Sequence, residues 1–504
     1  MNPRILRIIL LIIAIAIMQS TTIAQNWNQL GQNINGEAAS DNSGRSVSLS
    51  ADGSTLAIGA SQNSGNGHLS GHVRVFILLS DAWVQQGADI EGEATNDHSG
   101  ASVCLSADGS ILAIGSPGNS GNGFNAGHVR VFKYISGIWT QQGSDIDAEA
   151  AQDRAGESIS LSADGLTVAI GALGNDGSGA SAGHVRIYKF MSGVWSQYGS
   201  DINGEAAQDQ SVSVSLNANG SVVAIGARLN DGNGLDAGHV RVYRSELGFW
   251  IQQGSDIDGE AAADLSGASL SINADGSILA IGAGFNNDNG IRSGHVRVYN
   301  LVAGSWIQQG ADINGEAEGD MCGFAVCLSA DGSTLACGAM RNNGNGIASG
   351  HVRVFKFVSG SWSQHGADID GEEAGDTSGS SVSLSADGSI LAIGAMGNDE
   401  TGFEAGQVRV FGDSKTPNGV IEDGFVVGFS VHPNPTSGLT YITLGQLYSG
   451  LNVAVSDITC KQVATFNFGT VEQANFEIEG ARGIYFLDIR SAEGRSARLR
   501  VIKN

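Results

Sequence analysis

An all-β chain, a seven-bladed β-propeller followed by a small β unit, is what the sequence predicts, and three observations predict it. The first is a repeat. All seven tryptophans (Trp27, Trp83, Trp139, Trp195, Trp250, Trp306 and Trp362) recur every 56 residues, with one spacing of 55, and such a period marks an array of supersecondary units. The second is the content of a unit. WVQQGADIEGEATNDHSGASVCLSADGSILAIGSPGNSGNGFNAGHVRVFKYISGI holds four short strand candidates: WVQQGADI, ASVCLS, SILAIGS and GHVRVF. Each is bounded by Gly, Asn, Asp or Ser, and helical periodicity is absent. The third is how the array ends. It begins with the Trp27 strand alone and stops at Val410-Phe411, before another Trp strand starts. WNQLGQNI can therefore complete the last unit and close a ring, which protects the end sheets from edge pairing. A linear solenoid is the alternative, since it too buries a core between repeats.

The turn between the second and third candidates is Asp52-Gly53 and its counterparts, with Asn219-Gly220 in the fourth unit. Such pairs supply the positive φ angles of a two-residue hairpin. In SVSLSADGSTLAIGA this turn sets Val47, Leu49, Leu56 and Ile58 on one face and Ser48, Ser50, Ala57 and Gly59 on the other. Both faces can be buried, large against small, if four-stranded sheets stack radially, and seven blades lie within the usual range.

The unit resembles an FG-GAP repeat, the blade of the integrin-α-type propeller. The residues that carry the likeness are SGxSVSLS and LAIGA around an Asp-Gly hairpin, then GHVRVF, over residues 27 to 411. Phe-Gly is missing at most blade starts. Members of that family often carry a calcium loop between the first two strands of a blade. Here that hairpin is only Ala-Asp-Gly-Ser, too short to wrap a cation.

The N-terminus reads as a cleaved secretory signal, residues 1–24. Arg4 and Arg7 precede the apolar run Ile8 to Met18, and Thr22-Ile23-Ala24 offers a cleavage site. The run is short for a bilayer-spanning helix, and no later segment could serve as one, so no transmembrane anchor is expected in the mature form. The propeller takes residues 25–411 and a linker 412–428. The five cysteines, Cys104, Cys322, Cys327, Cys337 and Cys460, cannot all pair within one chain. Cys104 and Cys327 stand where sister repeats have Ser, and Cys337 where they have Ile, so they read as small core residues. The register puts Cys327 and Cys337 on opposite faces.

Residues 429–504 form a separate small unit with strand-like alternation in LNVAVSDI, GIYFLDI and ARLRVIKN. VHPNPTSG (Val431 to Gly438), GIYFLDI (Gly483 to Ile489) and the basic RLRVIKN end resemble the type A C-terminal sorting domain of the type IX secretion system in Bacteroidota. That resemblance implies a β-sandwich recognised by the secretion machinery at the outer membrane and then removed by its sortase. It also implies a Gram-negative cell surface, reached through lipopolysaccharide attachment, or release from the cell.

The formal net charge is −25, while residues 429–504 hold seven Lys and Arg against six Asp and Glu. The acidity thus lies in the repeats, and such a field repels nucleic acid and anionic lipid. Six units place a His in the third strand (His72, His128, His184, His239, His295, His351) and the last has Gln407; all seven have an Arg two residues later. One imidazole per blade is too dispersed for a single zinc site, which needs three or four ligands around one ion. His and Arg therefore read as packed between blades with hydrogen-bond partners. Each unit also has one Glu in GEA, or near it, and one Asp shortly after. Seven Arg with fourteen acids suggests a repeated ion pair, with bidentate bonds, or a loop clamp.

What recurs in every blade serves the blade, so function is expected where blades differ. The Asn-Gly loops offer calcium a weak site through Asp231 and Asn233, or Asp176 and Asn175, although Asn and Gly there also suit tight bends. Phe124, Leu235, Arg292 and Phe403 are the expected ligand-binding positions, with His68, Ile291 and Ile347 at related places; the fourth unit is one residue short, at DQSVSVSL. No Ser-His-Asp triad, isolated carboxylate pair or phosphate-binding loop stands out. The expectation is a secreted or surface module, not an enzyme, that binds a glycan, protein or matrix component. An extracellular enzyme acting on polysaccharide and a purely structural surface protein are the alternatives.

Overall fold

The computed structural model describes residues 27–79, 81–413, 430–432, 436, 438–457, 461–480, 483–492 and 496–503. The expected signal peptide, nearly all of the expected linker, and Cys460 lie outside them. The described residues fall into two compact units, the first ending at Asp413.

The first unit is seven sheets of one design. In the first blade the strands run outward from Ser46–Leu49 through Thr55–Ala60 and His72–Leu79 to Ala82–Gln85. A two-residue piece, Ile90–Glu91, returns to pair with Val73 and His72. The stretch expected as one strand, WVQQGADI, is thus two, both on the third strand. It breaks at Gly87, whose φ is +85°, because the tryptophan of the next blade sits there. A Cβ on Gly87 would lie 2.9 Å from Cδ1 of Trp139, and the Trp139 indole donates to the Gln86 carbonyl at 2.9 Å. All seven indoles do the same to the preceding blade, at 2.7 to 3.0 Å.

The Asp-Gly turn is a four-residue loop rather than a two-residue hairpin. Only Gly53 has positive φ. Gly53 donates to the Ser50 carbonyl at 2.9 Å, and Asp52 Oδ1 accepts from the Ser54 amide and from the hydroxyls of Ser50 and Ser54. The serines on either side of Asp52 hold a turn in the right-handed region and leave the left-handed conformation to glycine alone. The centre of the loop is unchanged, so the expected register holds: Val47 faces Ile58 and Leu49 faces Leu56.

These turns also build the hub. Ala51 donates to Ala107, and so on through Ala163, Ala218, Ala274, Ala330 and Ala386, which donates back to Ala51 at 2.8 Å. A closed cycle of seven backbone hydrogen bonds excludes the solenoid.

The faces pack as their sizes require. Val47, Leu49, Leu56, Ile58, Phe76 and Trp83 of the first blade bury against Ala392, Val408 and Val410 of the last. Each buried Leu or Ile contributes about 1.5–3 kcal/mol. The N-terminal strand completes the last blade: Trp27 pairs with Asp413 and Ile34 with Val408. Cys104 and Cys327 occupy serine positions and accept an amide of the next blade through sulfur, each at 3.3 Å. The sixth blade differs in the core. Where most sisters set Ser against Ile, and the third blade Ala155 against Ile170, it has Cys322 against Cys337, both buried, with the sulfurs 2.7 Å apart.

The second unit is a β-sandwich. A three-stranded sheet (Ser430–His432, Leu439–Tyr448, Val471–Glu477) faces a four-stranded one (Gln462–Asn467, Asn452–Asp457, Gly483–Arg490, Ser496–Lys503). Ile442, Leu444 and Phe476 of one and Val453, Val455, Leu487 and Ile489 of the other share a single core.

Candidate functional site

The repeated polar residues form one network per blade on the face that carries the long loops. The arginine clamps the loop that enters its blade. Arg74 Nη2 donates to the Asn35 carbonyl at 2.7 Å, and the same bond recurs at Arg130, Arg241, Arg297, Arg353 and Arg409. Each of these guanidiniums also lies over the aromatic ring two residues on, 5.3 to 5.6 Å from its centre. Glu37 stands 3.5 Å from Arg74 Nη1 and is half-exposed. The expected bidentate carboxylate pair is thus a carbonyl clamp with a loose ion pair, because the loop carbonyl lies closer to the buried guanidinium than the solvent-facing Glu does. Arg186 is the exception and lies on Glu149 and Asp201.

The recurrent Asp is a second clamp. Asp97 is buried, and its Oδ2 accepts from the amides of Glu93 and Ala94 and from Asn119 Nδ2. The histidines differ from expectation. They are buried between blades, 1–3% exposed, but none has a side-chain hydrogen bond among the described residues. Burial, above all, holds each imidazole below its ordinary pKa, with the neighbouring arginine adding to this in every blade but the third. Each is therefore neutral at pH 7.

The expected loop residues are engaged in turn chemistry. Asn175 Oδ1 accepts from Gly177 N and its Nδ2 donates to Asp153. Asp176 and Asp231 accept the amide five residues on, and Asn233 donates to the Gly259 and Glu260 carbonyls. Phe124, Leu235 and Phe403 hold one position in the loops of the second, fourth and seventh blades and stand 66–69% exposed. Their backbone carbonyls tie down the following loop, which turns the side chains outward. Arg292 stacks on Phe285, 5.3 Å from the ring centre.

Of these, Phe124 alone lines a depression of about 520 Å³ on the loop face across the first three blades. Arg45, Gln62, His98, Arg154 and Glu157 complete its polar wall. Arg154 Nη2 donates to Glu157 Oε2 at 2.8 Å, and Arg45 stands 3.9 Å from Glu157 Oε1. His98 Nδ1 is 3.2 Å from the Ser61 carbonyl. Two cations share one carboxylate, so the cavity carries a positive excess within an acidic ring. An apolar ring beside a cationic wall suits a ligand with both a flat apolar face and an anionic group.

Sequence reasoning missed the cavity's charged residues, although the signal was present. They flank the recurrent SG. The column of Arg45 holds Ala101, Glu157, Ala268, Phe324 and Ser380, and the column of His98 and Arg154 holds Asn42, Gln210, Leu265, Met321 and Thr377. The second column takes a positive φ in every blade, so its backbone is fixed and only its chemistry varies.

Among solved structures the chain is similar to hydrazine synthase from Kuenenia stuttgartiensis, at 12% identity and TM-score 0.47, over 75% of this chain and 95% of that one. Raptor from Chaetomium thermophilum matches at 11% and 0.49, over 79% and 30%. Hsv2 from Kluyveromyces lactis matches at 11% and 0.42, over 86% and 98%. No curated protein sequence matches the chain, and no helix among the described residues is long and apolar enough to cross a membrane. Residues 430–504 match the secretion system C-terminal sorting domain family, and the second unit is therefore the export signal of the type IX system, which delivers its cargo to the cell surface or beyond.

Proposed function

We propose that the protein is a recognition module of the outer cell surface or its surroundings, made of FG-GAP-type blades. It binds a glycan, protein or matrix component through the cavity across the first three blades. The observation that carries this reading is convergence: residues that differ between blades, Arg45, His98, Phe124, Arg154 and Glu157, line one depression, while the residues repeated in most blades serve the blade frame. The positive wall favours a ligand bearing carboxylate or sulfate, with Phe124 against a sugar ring or apolar side chain. Export by the type IX system to the cell surface or beyond supports this reading. Glu157, the carboxylate of the cavity, is held by Arg154, an arrangement that suits binding better than acid–base chemistry.

Screening the chain without its signal peptide, residues 25–504, against arrayed glycans and matrix proteins tests the reading. Selective capture of uronate- or sulfate-bearing ligands is the expected result. A blank array moves the assignment to a structural surface role, which the near identity of the blades would then explain.

A further inference from the structure

The buried histidines have a feature that the frame does not use. His72 Nδ1 stands 3.9 Å from Glu37 Oε2 and 4.0 Å from Asp89 Oδ2. His239 and His295 stand 3.8 Å from Glu205 and Glu260, and His128 stands 3.8 Å from Asp145. The same trio, with donor atoms within 4.8 Å of one another, forms at Glu93, His128 and Asp145, at Glu149, His184 and Asp201, and at Glu205, His239 and Asp256. These separations are too long for hydrogen bonds. They suit donors placed around one ion, each about 2.0–2.2 Å from it. The arginine sits on Oε1 of the Glu, leaving Oε2 towards the imidazole. The imidazole is buried and without a hydrogen-bond partner, while Glu37 and Asp89 are partly exposed, 44% and 29%, so an ion could reach the trio from solvent.

The seventh blade is a natural control. There the His position is Gln407 and the Asp position is Asn33, both exchanged together. The gap then closes directly: Asn33 donates to Glu372 at 3.0 Å, and Gln407 Nε2 donates to Glu400 at 2.9 Å and to Asn35 at 3.2 Å. Amides bridge the carboxylates where the ligand pair is missing; where it is present, only Arg186 of the third blade spans its Glu and Asp among the described residues.

We propose that each of the six blades with a histidine binds one divalent transition-metal ion of the zinc class between its His, Glu and Asp. One imidazole with two carboxylates is a donor set for zinc rather than calcium or magnesium, which take oxygen alone. In the third blade Arg186 lies on Asp201 and competes with an ion. The proposal is independent of the cavity and its ligand.

The test is metal stoichiometry. The chain without its signal peptide, residues 25–504, is equilibrated with zinc chloride, passed through a desalting column and assayed for bound zinc by elemental mass spectrometry, with calcium chloride in parallel. Five or six zinc ions per chain are expected, and no retained calcium. The variant His239→Gln with Asp256→Asn copies the seventh blade, where both residues are accommodated, and should hold one ion fewer. Cys322→Ser restores the residue of the sister blades and should leave the count unchanged, which separates these sites from the cysteine pair. Retention of one zinc or none, or an unchanged count in the His239→Gln, Asp256→Asn variant, would overturn the proposal.

Discussion

The Trp27 indole donates a 3.0 Å hydrogen bond to the carbonyl of His365, 338 residues further along the chain. It is the seventh bond in a rim of seven, and the Ala386-to-Ala51 bond at the hub is its inner counterpart. Ring closure therefore uses the same contacts as every other blade junction. Trp27→Phe removes the donor and leaves the His365 carbonyl, the counterpart of the Gln86 carbonyl, without it, at a cost of about 1 kcal/mol. Trp139→Phe should cost the same, because its bond to Gln86 is equivalent. Urea denaturation of the two variants checks this. A much larger loss for Trp27→Phe would mark the closing junction as a special latch.

The arginine clamp predicts a contrast within one ion pair. Arg241 Nη2 donates to the Asn203 carbonyl at 2.8 Å, while Glu205 lies 3.4 Å from Nη1 and is 44% exposed. Arg241→Met should cost about 2–3 kcal/mol, the loss of a charged hydrogen bond to a backbone acceptor. Glu205→Gln should cost less than about 1 kcal/mol, since solvent screens the pair. Both are read from urea midpoints in the presence of chelator. Equal losses would restore the ion pair as the main contribution.

Asp97 accepts three donors from its own loop and from Asn119. Asp97→Ala leaves all three without it and should destabilise the chain by about 3 kcal/mol or more. Because this loop forms the cavity floor beside Thr95, Asn96 and His98, hydrogen exchange should rise there before it rises in the strands.

Much of this architecture was legible because seven copies average out local ambiguity. Alternation in SVSLS and LAIGA, with Asp52-Gly53 between them, fixed which side chains face which blade, and Trp27 standing alone pointed to closure. The break at Gly87 was not legible, since it depends on an indole from the next unit. The histidine trio was hidden for the same reason: Glu37, His72 and Asp89 lie on three separate segments, and a count of one imidazole per blade overlooks carboxylates brought in by the fold. The cavity needed only a comparison of columns beside the recurrent SG.

The cysteines of the sixth blade give a redox prediction. Cys322 and Cys337 are buried with their sulfurs in contact. The Cys337 thiol and the Arg353 guanidinium hold Cys322 below the ordinary thiol range, which favours the thiolate that attacks an oxidant. With a disulfide-type oxidant as acceptor of two electrons and two protons, as in an oxidising compartment, the pair should join. Peptide mass mapping without reduction should show Cys322 linked to Cys337 in the exported protein. Finding both alkylated without prior reduction would show that the pair stays reduced.

The most direct measurement compares array profiles of the chain of residues 25–504 and of its variant Arg45→Ser with Arg154→Gln. Serine and glutamine stand at these two columns in Ser380 and Gln210, so the frame tolerates them. A tenfold or greater loss of capture, confined to carboxylate- or sulfate-bearing ligands, with an unchanged urea midpoint, is what a cavity-centred recognition module predicts. Undiminished capture of the same ligands by the variant would place binding elsewhere and contradict it.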